Sequence, residues 1–96
     1  MQFLLIAFDG NDPGAPERRK NARPGHLEKI AFLKRSGEFL LGGAILDDKE
    51  QMIGSMIVYE FPDRAALDLK LKEEPYIINN VWHKIEIYPY RLAKIE

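Results

Sequence analysis

The sequence predicts an α+β domain in which four antiparallel strands carry two helices on one face. Three observations predict it. Apolar runs of strand length are bounded by turn-forming residues, two helix-forming stretches lie between them, and the resulting order is β-α-β-β-α-β.

Residues 2–8 form a short apolar run and read as a buried strand. Asp, Gly, Asn and Pro then crowd residues 9–16, which read as a loop. Residues 17–23 are polar and basic, and suit either a helical turn or more loop. Pro24 fits the first turn of a helix running to Ser36, with Gly37 as its stop. On that helix Leu27, Ile30, Ala31 and Leu33 share an arc, and His26 falls within it. Phe32 points elsewhere, toward solvent or a partner subunit.

Residues 38–46 read as a strand interrupted by Gly42-Gly43, a pair that marks a bulge or a close backbone approach. A polar turn leads to a second strand over 52–61, making a hairpin. Asp63 is a suitable N-cap for the second helix. The segment Leu67-Asp68-Leu69-Lys70-Leu71-Lys72 alternates like a strand. Helix is preferred there, because no β-branched residue occurs between 63 and 74. Pro75 ends it, residues 76–80 suit a short extra turn, and 81–88 read as the last strand. Pro89 assigns that strand to an edge or a bulge. Two helices on one face of a four-stranded sheet satisfy this order in the ferredoxin-like manner, within a single domain over residues 1–96.

The totals exclude several classes. Net charge is −1, so no strong field draws nucleic acid or an anionic membrane. Residues 52–61 also lack the stacking aromatics of an RNA-recognition sheet. There is no cysteine, hence no disulfide, thiol nucleophile or thiolate metal site. The two histidines have no metal-ligand spacing, and no metal is expected. The apolar N-terminus lacks a basic leader and is cut short by Asp9-Gly10-Asn11-Asp12, so it reads as a strand and not an export signal. No apolar run nears the ~20 residues of a membrane span. A cytoplasmic address follows by default.

Both faces of the sheet look apolar. Phe3, Leu5 and Ala7 oppose Leu4, Ile6 and Phe8. Phe39 and Leu41 oppose Leu40 and Ala44, and Met56 and Val58 oppose Ile57, Tyr59 and Phe61. Two helices cover one face only, so the second should be covered by another copy of the chain in a two-fold homodimer.

Few residues offer chemistry. His26, near a helix start and on the core-facing arc, is the natural general acid or base near neutral pH. Arg23 beside it has the planar fork that holds a carboxylate or phenolate. Asp9 ends the first strand and Glu74 ends the second helix; either carboxylate could orient His26. Arg18, Arg19 and Lys20 read as a solvated basic run, and His83 as structural.

The segments Arg23-Pro24-Gly25-His26-Leu27 and Glu74-Pro75-Tyr76 resemble the R-P-x-H-L and D-P-Y/F segments of the YciI-like (YCII-related) family. Asp9, Gly42-Gly43 and the strand from Val81 to Tyr90 fall in the family's order. The resemblance implies a dimeric α+β barrel, formed sheet to sheet, with a histidine acid/base in a cleft. Carried over by motif, that histidine is His26. Arg23 and Tyr76 would bind the substrate, and Glu74 would be the acidic partner. The family usually has aspartate there, and one more methylene moves the carboxylate by roughly 1.5 Å. Asp9 stays open as the alternative. The resemblance further implies cofactor-independent lyase or isomerase chemistry on a small aromatic or anionic molecule. A non-catalytic ligand-binding or accessory dimer is the competing expectation.

Overall fold

The computed structural model describes residues 1–95. Its elements are β1 (Gln2–Asp9), α1 (Ala15–Arg35), β2 (Phe39–Leu46), β3 (Met52–Glu60), α2 (Arg64–Leu71), α3 (Pro75–Ile78) and β4 (Trp82–Tyr90). The strands form one antiparallel sheet in the order β2-β3-β1-β4. This is the ferredoxin-like α+β architecture that the sequence predicts. Pro89 does lie on an edge strand, where its missing N–H breaks no inner ladder.

The core lies between the helices and one face of the sheet. Phe3, Leu5 and Ala7 of β1 stand opposite Tyr59, Ile57 and Ser55 of β3, and all six are buried. Leu67 and Leu71 of α2, Leu33 of α1, and Tyr76, Val81 and Trp82 close over them. Each buried large apolar side chain contributes roughly 1.5–3 kcal/mol. Asp63 caps α2 as expected, its carboxylate accepting from Ala66 N at 2.8 Å. Gly37 has φ 82°, which lets it close α1 where a side chain would strain the backbone.

Three expectations are corrected. First, α1 begins at Ala15, two turns before Pro24, which is interior. Pro16 occupies the first turn, where a proline costs little. The buried stripe runs Ala15, Arg19, Ala22, His26, Leu33, while Leu27 is 47% exposed and Ala31 is exposed too. Packing of that stripe holds the helix through Pro24, which forfeits one backbone bond.

Second, β2 carries a bulge at Leu40: Phe39 pairs with Tyr59, but Leu41 pairs with Val58. The extra residue inverts the alternation. Phe39 therefore packs on the core, while Leu41 stands on the open face with Val58 and Leu4. Gly42 backs onto β3 so closely that a Cβ there would sit 2.7 Å from the Met56 carbonyl oxygen. Third, α2 ends at Leu71, and Glu74 is not its solvated end. It is the buried N-cap of α3.

The open face carries Leu4, Ile6, Phe8, Leu41, Met56, Val58 and Tyr88. After β4, Leu92 N donates to Gln2 Oε1 at 2.6 Å. Phe8, Leu41 and Tyr88 remain exposed.

Candidate active site

Helix α1 places Arg19, Arg23 and His26 on successive turns of one side. Helix α3 meets them from across the domain. Glu74 caps α3 by folding its carboxylate back, so that Oε1 accepts from Tyr76 N at 3.1 Å. The same Oε1 lies 2.5 Å from His26 Nδ1. The capping bend absorbs the additional methylene, so glutamate reaches the imidazole directly. Both side chains are buried, at 10% and 3% exposure. Burial leaves a charged carboxylate in need of partners, and it has two.

The His26 ring stacks on Tyr76 with centroids 3.9 Å apart and planes 10° apart. Trp82 meets it edge-on at 6.1 Å. With Nδ1–H assigned as donor to Glu74, the neutral ring keeps its lone pair on Nε2. Nε2 has no protein partner among the described residues. Gly25 sits against Pro75, where even a Cβ would find ordinary contact at 3.5 Å. That close approach of α1 to α3 seats the imidazole on Glu74 and Tyr76.

His26 and Tyr76 line a cleft with Arg23, Leu27, Ile30 and Phe39, floored by Gly42 and Ala44. Arg23 is half-buried and makes no ion pair among the described residues. Burial pushes the Tyr76 phenol above its ordinary value, so it holds its proton. His26, Glu74, Arg23 and Tyr76 thus come together.

Asp9 does not join them. Its carboxylate takes two hydrogen bonds from Arg19 Nη1, at 2.8 and 3.0 Å. Arg19 Nη2 donates to the Gly54 carbonyl and to Ser55 Oγ, each at 3.0 Å, and Ser55 Oγ also accepts from Trp82 Nε1 at 3.1 Å. The Arg19 guanidinium lies 4.7 Å from the Tyr76 ring centre. Asp9 is therefore corrected from a partner of His26 to a partner of Arg19. Arg19 is likewise buried and not part of a solvated run. Its spacing of two helical turns from His26 was the available signal. His83 is exposed on β4, with Nε2 3.4 Å from Arg18 Nη2. Among the described residues no three His, Asp or Glu side chains gather as a metal site.

The profile of the YCII-related domain matches residues 1–91. The chain belongs to the YCII-related family. It is 25% identical to Protein YciI of Shigella flexneri over 97 residues, 95% of this chain and 97% of that protein. A 5-chloro-2-hydroxyhydroquinone dehydrochlorinase from Burkholderia phenoliruptrix, solved with 2,5-dihydroxybenzoquinone, superposes with TM-score 0.82 at 20% identity, covering 97% of this chain and 96% of that one. SnoaB, a cofactor-independent oxygenase from Streptomyces nogalater, gives 0.58 at 15% identity, covering 99% and 96%. At these identities the structural likenesses establish the fold. They give this YCII-related chain the same α+β fold as these two enzymes. No helix among the described residues is long and apolar enough to cross a membrane.

Proposed function

We propose that this YCII-related protein is a cofactor-independent acid/base enzyme acting on a small, ring-shaped phenol or its anion. One observation carries the reading: Glu74 engages Nδ1 of an imidazole whose other nitrogen has no protein partner, beside an arginine without a carboxylate. In this reading Nε2 of His26 takes a proton from a ring hydroxyl or an adjacent carbon and returns it elsewhere on the ring. Such a tautomeric exchange is balanced within the substrate and needs no outside electrons. Glu74 fixes the tautomer and stabilises the imidazolium while the proton is held. Arg23 binds the oxyanion, and Tyr76 holds the imidazole plane by stacking.

The non-catalytic alternative expects a cleft without convergent polar groups, and the His26–Glu74 pair disfavours it. A homodimer through the open sheet face, working in the cytoplasm, completes the proposal. The dehydrochlorinase and the oxygenase support it by showing that similar folds carry out reactions on small molecules.

The test is an NMR titration of the His26 ring signals with hydroquinone and related phenols. Ligand-dependent shifts at His26, lost in Arg23→Met for anionic ligands, are expected. A ring that neither titrates nor responds to any phenol would falsify the proposal.

A further inference from the structure

The cleft beside His26 is small. Its free volume is about 100 Å³. That is less than the ~150 Å³ of a cavity that takes up benzene, and ligand clefts commonly run to roughly 300–1,000 Å³. A second cleft of about 530 Å³ adjoins it, between the β1–α1 loop, the first turns of α1 and the start of β3. Arg19 and Met52 line both. Met52 is 40% exposed, and its unbranched chain can swing aside from the boundary.

The charges of the larger cleft are nearly all matched. Asp9 is held by Arg19. Asp12 takes two bonds from Arg18, each at 2.7 Å, which keep its carboxyl well below the usual carboxylate range. Lys20 is the remainder: exposed, and without an ion pair among the described residues. Ala15, Pro16, Met52 and Ile53 supply an apolar wall. The acidic side chains are thus neutralised where they stand, and one cation is left to meet an anion.

We infer that the two clefts form one trough, and that its ligand is a phenolic ring bearing a carboxylate-terminated arm. The ring sits at His26, the arm lies along Met52 and Ile53, and the carboxylate meets Lys20. Lys20 and His26 are six residues apart on α1, on the order of 9 Å along the axis and about 120° around it. Beyond the ring itself, an arm of about three or four carbons covers the axial part of that gap, and the flexible lysine stem, which lines the larger cleft, closes the rest. This inference rests on the acid/base reading of His26 and adds the substrate class.

Calorimetry and amide NMR with two probes test it: hydroquinone, and a dihydroxyphenyl-butanoate carrying the same ring. The armed probe is expected to bind about tenfold tighter, from apolar burial plus one surface ion pair. Lys20→Ala should remove roughly three- to fivefold of that gain and leave hydroquinone binding unchanged. Met52 and Ile53 amides should shift with the armed probe only. Equal affinities, or a gain untouched by Lys20→Ala, overturn the arm site. Hydroquinone binding at His26 would then leave the acid/base reading standing. Silence at His26 with both probes overturns the two together.

Discussion

Glu74 uses one oxygen for two tasks: Oε1 caps helix α3 at Tyr76 N and also binds His26 Nδ1. The cap fixes where the carboxylate sits, and the carboxylate fixes which way the imidazole faces. Helix α3 is therefore a bracket for the imidazole as much as a connector.

Glu74→Gln keeps the shape and an acceptor but removes the charge. A buried hydrogen bond to a charged group contributes roughly 1.5–3 kcal/mol, so stability should fall by about 1–2 kcal/mol. Histidine ring nitrogen shifts should show a mixed tautomer population. Turnover of any phenol substrate should fall roughly ten- to a hundredfold, as when an orienting partner is lost. Glu74→Asp should keep the cap and lengthen the contact with His26. Unchanged ring shifts in Glu74→Gln would show that the carboxylate does not set the tautomer.

Much of this was legible in the sequence, and the remainder was hidden for physical reasons. Strand runs and turn residues showed the order of the elements, because apolar runs of strand length stand out between turn-forming residues. The length of α1 was hidden because its buried stripe contains Arg19 and His26, which dilute the apolar period. Once Arg19 is matched by Asp9 and Ser55 its burial is reasonable, but those partners come from β1 and β3 and are remote in sequence. Gly42-Gly43 marked this strand for a bulge or a close approach, and Gly42 makes the approach, but the bulge itself lies at Leu40: one extra residue there reverses Leu41 without altering a single residue type. The His26–Glu74 pair spans 48 positions; the element order left Asp9 and Glu74 as alternatives, and only the motif resemblance favoured Glu74.

The pairing of Arg19 with Asp9 gives a second prediction. Both side chains are nearly sealed, at 6% and 5% exposure. Asp9→Ala leaves a buried guanidinium without its counter-charge and should cost about 3–5 kcal/mol, a severe loss for a domain this small. Arg19→Met in the same chain should recover part of that loss, because the remaining charge goes too. A denaturation double-mutant cycle measures the coupling. If the two variants are additive, Asp9 is free for some other partner.

Tyr59 carries a pH dependence whose sign can be worked out. Burial, and secondarily the nearby Glu74 charge, push its phenol well above 10.0. Below pH 10 the folded and unfolded phenols are both neutral, and this group makes stability independent of pH. Above pH 10 the unfolded chain releases a proton that the folded chain keeps. Stability then falls by about 1.4 kcal/mol per pH unit from Tyr59 alone. Tyr59→Phe should flatten that alkaline limb. At pH 7 it should be neutral or stabilising by up to about 1 kcal/mol, since the hydroxyl is buried without a protein partner among the described residues. A loss above about 2 kcal/mol at pH 7 would reveal a partner for the hydroxyl.

The open sheet face yields the last prediction. Ile6 and Met56 are directly paired near its centre, flanked by Leu4, Val58 and Phe8. A standard interface buries roughly 800 Å² per partner, and this side of a four-stranded sheet is broad enough to supply it. Each side chain points away from the helices, so a lysine in its place can keep its charge in water while the chain is monomeric. In a sheet-to-sheet dimer the same lysine is buried against its own copy across the two-fold axis. Sedimentation at micromolar concentration should therefore find the wild type dimeric, and Ile6→Lys or Met56→Lys monomeric with unchanged circular dichroism. A wild type that sediments as a monomer, or a lysine variant that stays dimeric, would mean that this face is covered in some other way.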